Sequence, residues 1–120
     1  MKSTLSRTAT AVAKLLVPAV LLLAASGGAS HAGDVMAGGA KAMMCQACHG
    51  LDGLAITPDA PNIAGQTEPY LTIQMQAFKT GVRKNDAMSV VMPPLSDADI
   101  EDLAAYYSAI EIKIVKVPGE

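Results

Sequence analysis

The sequence predicts an all-α domain in which three main helices are separated by two long loops. In two segments the apolar residues recur every three or four positions, which places them on one face of a helix. A capping residue stands at the start of each predicted helix. Residues 50–65 are rich in proline and glycine, and residues 82–95 include a Pro-Pro pair near their end, as is typical of loops.

The first predicted helix begins after Asp34 and runs towards Cys45. An aspartate at this position accepts hydrogen bonds from the free amides of the first turn. Gly38 and Gly39 each weaken a helix by roughly 1 kcal/mol relative to alanine. We therefore expect close contact with another helix to compensate at these two positions.

The second predicted helix is capped by Thr67, tolerates Pro69 in its first turn and ends at Gly81. Its apolar stripe consists of Leu71, Met75 and Phe78. These positions are spaced so that the three side chains share one face.

The third predicted helix starts at Ser96, which resembles a capping box together with Asp99. Its single apolar stripe consists of Ile100, Leu103, Ala104 and Tyr107. Residues 111–117 are β-branched and partly alternating. They fit an extension of this helix, a short strand or a frayed end.

Residues 1–32 have the pattern of a secretory signal peptide. Three basic and no acidic residues precede an apolar run at residues 15–25, and a small-x-small pattern ends at Ala32. A run of 11 residues is too short to span a bilayer, which needs about 20. An uncleaved membrane anchor is the alternative, and Pro18 argues against it. We expect export to the periplasm and cleavage near Ala32.

Residues 33–120 are long enough for one domain, with a core at about residues 34–110 and a tail at residues 111–120. Their 11 acidic and six basic side chains give a formal charge of −5. Nucleic-acid binding usually requires a basic patch, so we expect none. After removal of the leader no membrane span is expected. The acidity fits a solvated surface or a preference for basic protein partners.

Large core-filling side chains are few in this domain. It has four aromatic residues and no tryptophan, although aromatic residues contribute the largest buried areas. The composition therefore suggests that a bulky apolar cofactor fills part of the core.

Residues 45–49 read C-x-x-C-H, the attachment sequence for c-type haem. The thiols of Cys45 and Cys48 can add to the two vinyl groups on one haem edge. The adjacent His49 then comes under the iron and ligates it. We therefore predict one covalently attached haem c.

Three other chemistries use cysteines at this spacing. A redox dithiol usually belongs to a βαβ pattern, whereas this chain reads as all-helical. Structural zinc takes four Cys or His ligands, and residues 33–120 offer three. A plain disulfide is the third alternative.

The sixth iron ligand of a low-spin electron carrier is a methionine thioether, which favours reduced iron and raises the potential. Met88 and Met92 lie in the second loop and are the candidates. The methionines on predicted helices are expected to serve packing: Met36, Met43, Met44 and Met75.

Several further segments complete a pattern that resembles the class I cytochromes c. They are CQACHG at 45–50, DG at 52–53, PNIAGQ at 61–66, YL at 70–71, LSDADI at 95–100 and LAAYY at 103–107. The resemblance covers residues 34–110 and is closest to domains that also occur in tandem in diheme periplasmic cytochromes. It implies a class I cytochrome c fold, with three main helices and loops wrapped around the haem.

The resemblance also implies ligand roles. The axial methionine of that subgroup stands seven residues before the hydrophobic residue that opens the last-helix motif, here Leu95, which implies Met88. In other class I cytochromes a Met-Pro pair similar to Met92-Pro93 carries the ligand, so Met92 is the alternative. The Pro61 carbonyl is implied to accept a hydrogen bond from the far ring nitrogen of His49.

A crossing of the first and last helices is implied as well, with Gly38 admitting the ring of Tyr106 or Tyr107. Either tyrosine could instead donate to a haem propionate.

Lys79, Arg83 and Lys84 form a small basic cluster in an acidic chain. The cluster fits a solvated face, a docking site or a site that pairs with propionates.

The function predicted from these features is a periplasmic monohaem carrier of single electrons between redox proteins, not an enzyme. One alternative is the haem-bearing subunit of a dehydrogenase complex, such as a flavin-dependent sulfide dehydrogenase or an alcohol dehydrogenase. Another is a haem enzyme or gas sensor with an open sixth position. A monomer and a dehydrogenase-bound subunit both fit the sequence.

Overall fold

The structure, a computed structural model, describes residues 32–119, which contain helices, turns and loops but no strand. Residues 1–31 of the predicted signal peptide lie outside the described residues. The helices are α1 Val35–Lys41, a 3₁₀ turn Ala42–Met44, α2 Gln46–His49, α3 Glu68–Lys79, α4 Met88–Val91 and α5 Asp97–Ser108. Within the described part of the chain, no helix has the length and apolarity to cross a membrane.

The start of α1 is capped as predicted. The Asp34 carboxylate accepts hydrogen bonds from the amides of Met36 at 2.8 Å and Ala37 at 3.0 Å. The helix does not continue unbroken to Cys45, however, because it ends at Lys41 and tightens into the 3₁₀ turn. The Cys45 amide accordingly donates to the carbonyl three residues back, at 2.9 Å.

The start of α3 differs from the prediction. Thr67 occupies the capping position, but its side chain makes no capping hydrogen bond. A capping side chain bonds the second or third amide of the helix, and the second residue here is Pro69, which has no N–H. Thr67 thus stands at the predicted position, but the predicted side-chain cap is absent. The predicted stop at Gly81 is confirmed by its φ of +75°.

The start of α5 has the predicted capping box. The Ser96 hydroxyl accepts from the Asp99 amide at 3.1 Å, and the Asp99 carboxylate accepts from the Ser96 amide at 2.9 Å. The predicted stripe of this helix is buried. It joins residues of α3 and of the loop before α5 in one core cluster: Ala42, Leu71, Phe78, Met92, Leu95, Ile100, Leu103, Ala104 and Tyr107.

Helices α1 and α5 approach each other more closely than the predicted contact between a glycine and an aromatic ring, because at Gly38 backbone meets backbone. A Cβ added at Gly38 would overlap the carbonyl oxygen of Asp102 and come within 2.8 Å of the Tyr106 Cβ. The ring of Tyr106 lies instead against Gly39, where an added Cβ would be 3.1 Å from Cε2. Gly38 thus admits the backbone of α5, and Gly39 admits the aromatic ring.

Three of the four methionines expected to pack do not. Met36, Met43 and Met44 are exposed, and Met36 reaches 83%. Gly38 and Ala42 form the buried face of the first segment, so Met36, two residues before Gly38, falls on the opposite side. The fourth, Met75, packs against the core as expected.

The tail after α5 is neither a helix nor a strand, and residues 111–119 are exposed. One tail residue, Ile112, lies close to Gly65: a Cβ added at this glycine would come within 2.9 Å of the Ile112 side chain. The Gly65 amide also donates to the Tyr107 carbonyl at 3.0 Å.

Candidate functional site

The two cysteines lie on one helical turn, since Cys45 caps α2 and Cys48 lies within it. Both side chains are half-buried, and no disulfide joins them. Burial raises the pKa of the Cys45 thiol. Two neighbouring thiols held on the same side of a short helix fit attachment to the edge of a single planar group.

His49 ends α2 and is largely buried, with 9% of its surface exposed. Its Nδ1 lies 3.0 Å from the Pro61 carbonyl oxygen. Because a carbonyl only accepts, this contact requires the proton on Nδ1, which leaves the Nε2 lone pair free to bind a metal. The structure thus contains the contact with Pro61 that the family resemblance implies.

The segment after His49 is held by the two tyrosines of α5. Tyr107 donates its hydroxyl to the Gly50 carbonyl at 3.2 Å, and Tyr106 donates to the Leu51 carbonyl at 2.9 Å. Burial raises the pKa of Tyr107 well above its usual value, so this hydroxyl stays a donor at any physiological pH. Both hydroxyls therefore bond backbone carbonyls in this structure.

The loop that carries Pro61 is tied back to the same segment. The Gly53 carbonyl accepts from the amides of Ile63 at 2.8 Å and Ala64 at 3.1 Å. The Asn62 side chain accepts from the Ala55 amide at 2.7 Å. These bonds fix the backbone on both sides of the loop, and so they fix the carbonyl that orients His49.

The two candidate methionines differ in their surroundings. Met92 is 2% exposed and belongs to the core cluster, so protein atoms already surround its thioether. Met88 is half-buried at the start of α4, packs against the edge of the core and lies near His49. Met88 therefore keeps side-chain surface available for a further group, whereas Met92 does not.

Residues 82–95, predicted to be a loop, contain the short helix α4. The missed signal is an asparagine, Asn85, followed by Met88, Val91 and Met92 at helical spacing. Asn85 accepts hydrogen bonds from the amides of Ala87 at 3.1 Å and Met88 at 3.0 Å. Asn85 was not among the predicted site residues.

Two members of the basic cluster have partners within the chain. Lys79 pairs with Asp97 at 2.6 Å, and Asp97 has a lowered pKa because Gln76 and Lys79 bond its carboxylate. The Arg83 guanidinium lies 4.5 Å from the centre of the Phe78 ring and donates to Gln74 at 2.6 Å. Lys79 thus links α3 to the start of α5, and Arg83 packs against α3 itself.

Across residues 32–119, no three His, Cys, Asp or Glu side chains gather into a group that could hold a metal ion. A single histidine with a free ring nitrogen and a methionine thioether instead fit the two axial positions of a haem iron. The two cysteines at the same site fit its covalent attachment.

Known proteins are similar to this chain over most of its described residues. The profile of the family Cytochrome c matches residues 36–110. Cytochrome c4 of Pseudomonas aeruginosa is 45% identical over 101 residues, which cover 84% of this chain and 50% of that protein. Cytochrome c-554(548) of Halomonas halodenitrificans is 45% identical over 83 residues, covering 67% of this chain and 100% of that protein.

A solved structure is similar as well. Reduced recombinant cytochrome c4 from Pseudomonas stutzeri matches with a TM-score of 0.63 and 44% sequence identity. The match covers 67% of this chain and 47% of that chain. The present chain thus spans about half the length of the cytochrome c4 proteins that it matches.

Proposed function

This chain belongs to the cytochrome c family, and on that premise we propose that it carries single electrons between redox proteins of the periplasm. One haem c is attached covalently at the Cys45 and Cys48 motif. In the proposal His49 and Met88 are the axial ligands of its iron. The observation that carries the proposal is the contact between His49 Nδ1 and the Pro61 carbonyl.

The chain's residues have separable tasks in this function. The haem supplies the one-electron couple. Cys45 and Cys48 keep the cofactor in place through redox cycling. Pro61 fixes the ring of His49 and increases the donor strength of Nε2. A thioether from Met88 favours the reduced iron and raises the potential.

Burial supports Met88 over Met92 as the sixth ligand. A thioether that ligates iron must present its sulfur to the cofactor, and the 2%-exposed Met92 side chain is already enclosed by the core. Met88 stands at the edge of that core, at the first residue of α4. The proposed periplasmic location rests on the leader pattern of residues 1–32. Export of the protein and cleavage near Ala32 would establish this location.

The spectra of the oxidised and reduced protein, expressed with periplasmic haem attachment, test the proposal. We compare the wild type with Met88→Leu and Met92→Leu, because leucine removes the sulfur while conserving volume. The wild type should be low-spin and show the weak far-red band of an iron–methionine bond. Only Met88→Leu should lose this band.

Two other outcomes would contradict the proposal. If Met92→Leu alone removes the band, the ligand assignment is wrong although an electron carrier remains. If the wild type is high-spin and binds carbon monoxide readily, the protein is a haem enzyme or sensor instead.

A second candidate is the electron-transfer subunit of a dehydrogenase complex. The exposed apolar side chains of the tail favour it: Ile112, Ile114, Val115 and Val117. Purification of the native periplasmic species distinguishes the two. A complex with a larger flavin- or quinone-containing protein supports the subunit, and a lone haem protein supports the free carrier.

A further inference from the structure

The backbone of the proposed ligand Met88 is held by two polar side chains that flank it. Asn85 Oδ1 accepts hydrogen bonds from the amides of Ala87 at 3.1 Å and Met88 at 3.0 Å. These two amides stand where α4 begins, Ala87 at the residue before the helix and Met88 at its first residue, so the Asn85 side chain holds the entry to α4. The Met88 amide is thus one of the two donors that the Asn85 side chain satisfies.

Ser89 completes the arrangement from the other side of Met88. Its hydroxyl accepts from the Asn85 amide at 3.0 Å, and its own amide donates to the Asn85 carbonyl at 2.9 Å. Asn85 and Ser89 therefore bond each other twice, with Met88 between them. The reciprocal pattern is similar to the Ser96 and Asp99 capping box of α5.

Because α4 is short, its stability depends on these hydrogen bonds. The helix has four residues, Met88–Val91, and a helix so short is unstable without partners. At its far end the chain is anchored by the buried Met92. At its near end the anchors are Asn85 and Ser89.

We propose that Asn85 and Ser89 are positioning residues that hold the Met88 thioether at the iron. The proposal rests on the proposed ligation by Met88. Without the Asn85 acceptor, the first turn of α4 opens and the thioether spends more time detached. Loss of a cap of ordinary strength should raise the detached fraction roughly 2- to 30-fold.

Binding of imidazole to the oxidised holoprotein measures the detached fraction, because an external ligand reaches the iron when Met88 has left it. Asn85→Ala should increase the apparent imidazole affinity roughly 2- to 30-fold and weaken the far-red band. Asn85→Asp keeps an acceptor oxygen and should restore both readouts. Ser89→Ala should shift them in the same direction as Asn85→Ala.

Asp34→Ala is the matched control, because it removes the cap of α1 without touching α4. It should lower the denaturation midpoint and leave imidazole affinity unchanged. If Asn85→Ala also lowers only the midpoint, Asn85 is merely structural and the proposal is overturned. If Met88→Leu keeps the far-red band, the ligand assignment itself fails, and the two failures are thereby told apart.

Discussion

The two proposed axial ligands stand in regions that are held together in different ways. On the His49 side, Tyr107 bonds Gly50 across 57 residues and Tyr106 bonds Leu51 across 55. On the Met88 side, the side-chain hydrogen bonds of Asn85 and Ser89 join partners no more than four residues apart. Hydrogen bonds between residues far apart in the sequence hold the first region, whereas the side-chain hydrogen bonds of the second are local and its long-range contacts are apolar packing.

This difference predicts different modes of opening. Long-range bonds to α5 break only when α5 leaves the core, so the His49 side opens with global unfolding. A segment held by local bonds can open by itself at lower free energy. The histidine should therefore stay fixed under conditions in which the methionine already exchanges.

The largest effect is expected at the α1–α5 crossing. In Gly38→Ala the added Cβ overlaps the Asp102 carbonyl oxygen, so the two backbones must separate. We expect a loss of at least about 3 kcal/mol in the free energy of unfolding, at or above the upper end of the usual overpacking range, measured by chemical denaturation. Gly39→Ala is the control: its nearest neighbour is the Tyr106 ring, and the helix gains up to about 1 kcal/mol from alanine. An equal loss in both variants would contradict the prediction that the backbone overlap at Gly38 costs more than the ring contact at Gly39.

Removal of one tyrosine hydroxyl should have an intermediate effect. Tyr107→Phe leaves the Gly50 carbonyl without its buried donor, which costs about 1–3 kcal/mol. Tyr106→Phe should cost less than about 1 kcal/mol, because the bond to Leu51 is exposed and water can replace it. Unfolding curves of the two variants measure both values. Equal losses would contradict the inferred role of the buried bond.

The smallest effect is expected for the surface pair between α1 and α5. The Lys41 ammonium, 2.6 Å from the carboxylate, and the Ser96 amide lower the pKa of Asp99 to about 2. Because this value is below the ordinary value of about 3.9, the stabilisation is present above pH ~4 and is lost as the pH falls towards 2. Asp99→Asn should therefore be slightly less stable than the wild type at pH 6 and equal to it near pH 2. A difference that is independent of pH would exclude the charge as its cause.

Sequence signals were reliable where the interaction is local. The caps at Asp34 and Ser96, the stripe of α5 and the contiguous C-x-x-C-H motif each involve residues within a few positions of one another. Thr67 takes the predicted capping position, but its hydroxyl makes no capping bond, and Pro69 removes one of the two amides that it could have bonded. The partners of Tyr106 and Tyr107 could not be read from the sequence, because nothing near them specifies carbonyls more than 50 residues away. The four residues of α4 are too few for a periodic pattern to stand out.

The most direct test of the difference between the two sides is one guanidinium titration of the oxidised holoprotein followed by two probes. The far-red band reports the methionine–iron bond, and far-ultraviolet circular dichroism reports the helices. We predict that the band disappears at a lower guanidinium concentration than the helical signal. Coincident transitions would contradict the account, because the Met88 side would then be as firmly coupled to the global fold as the His49 side.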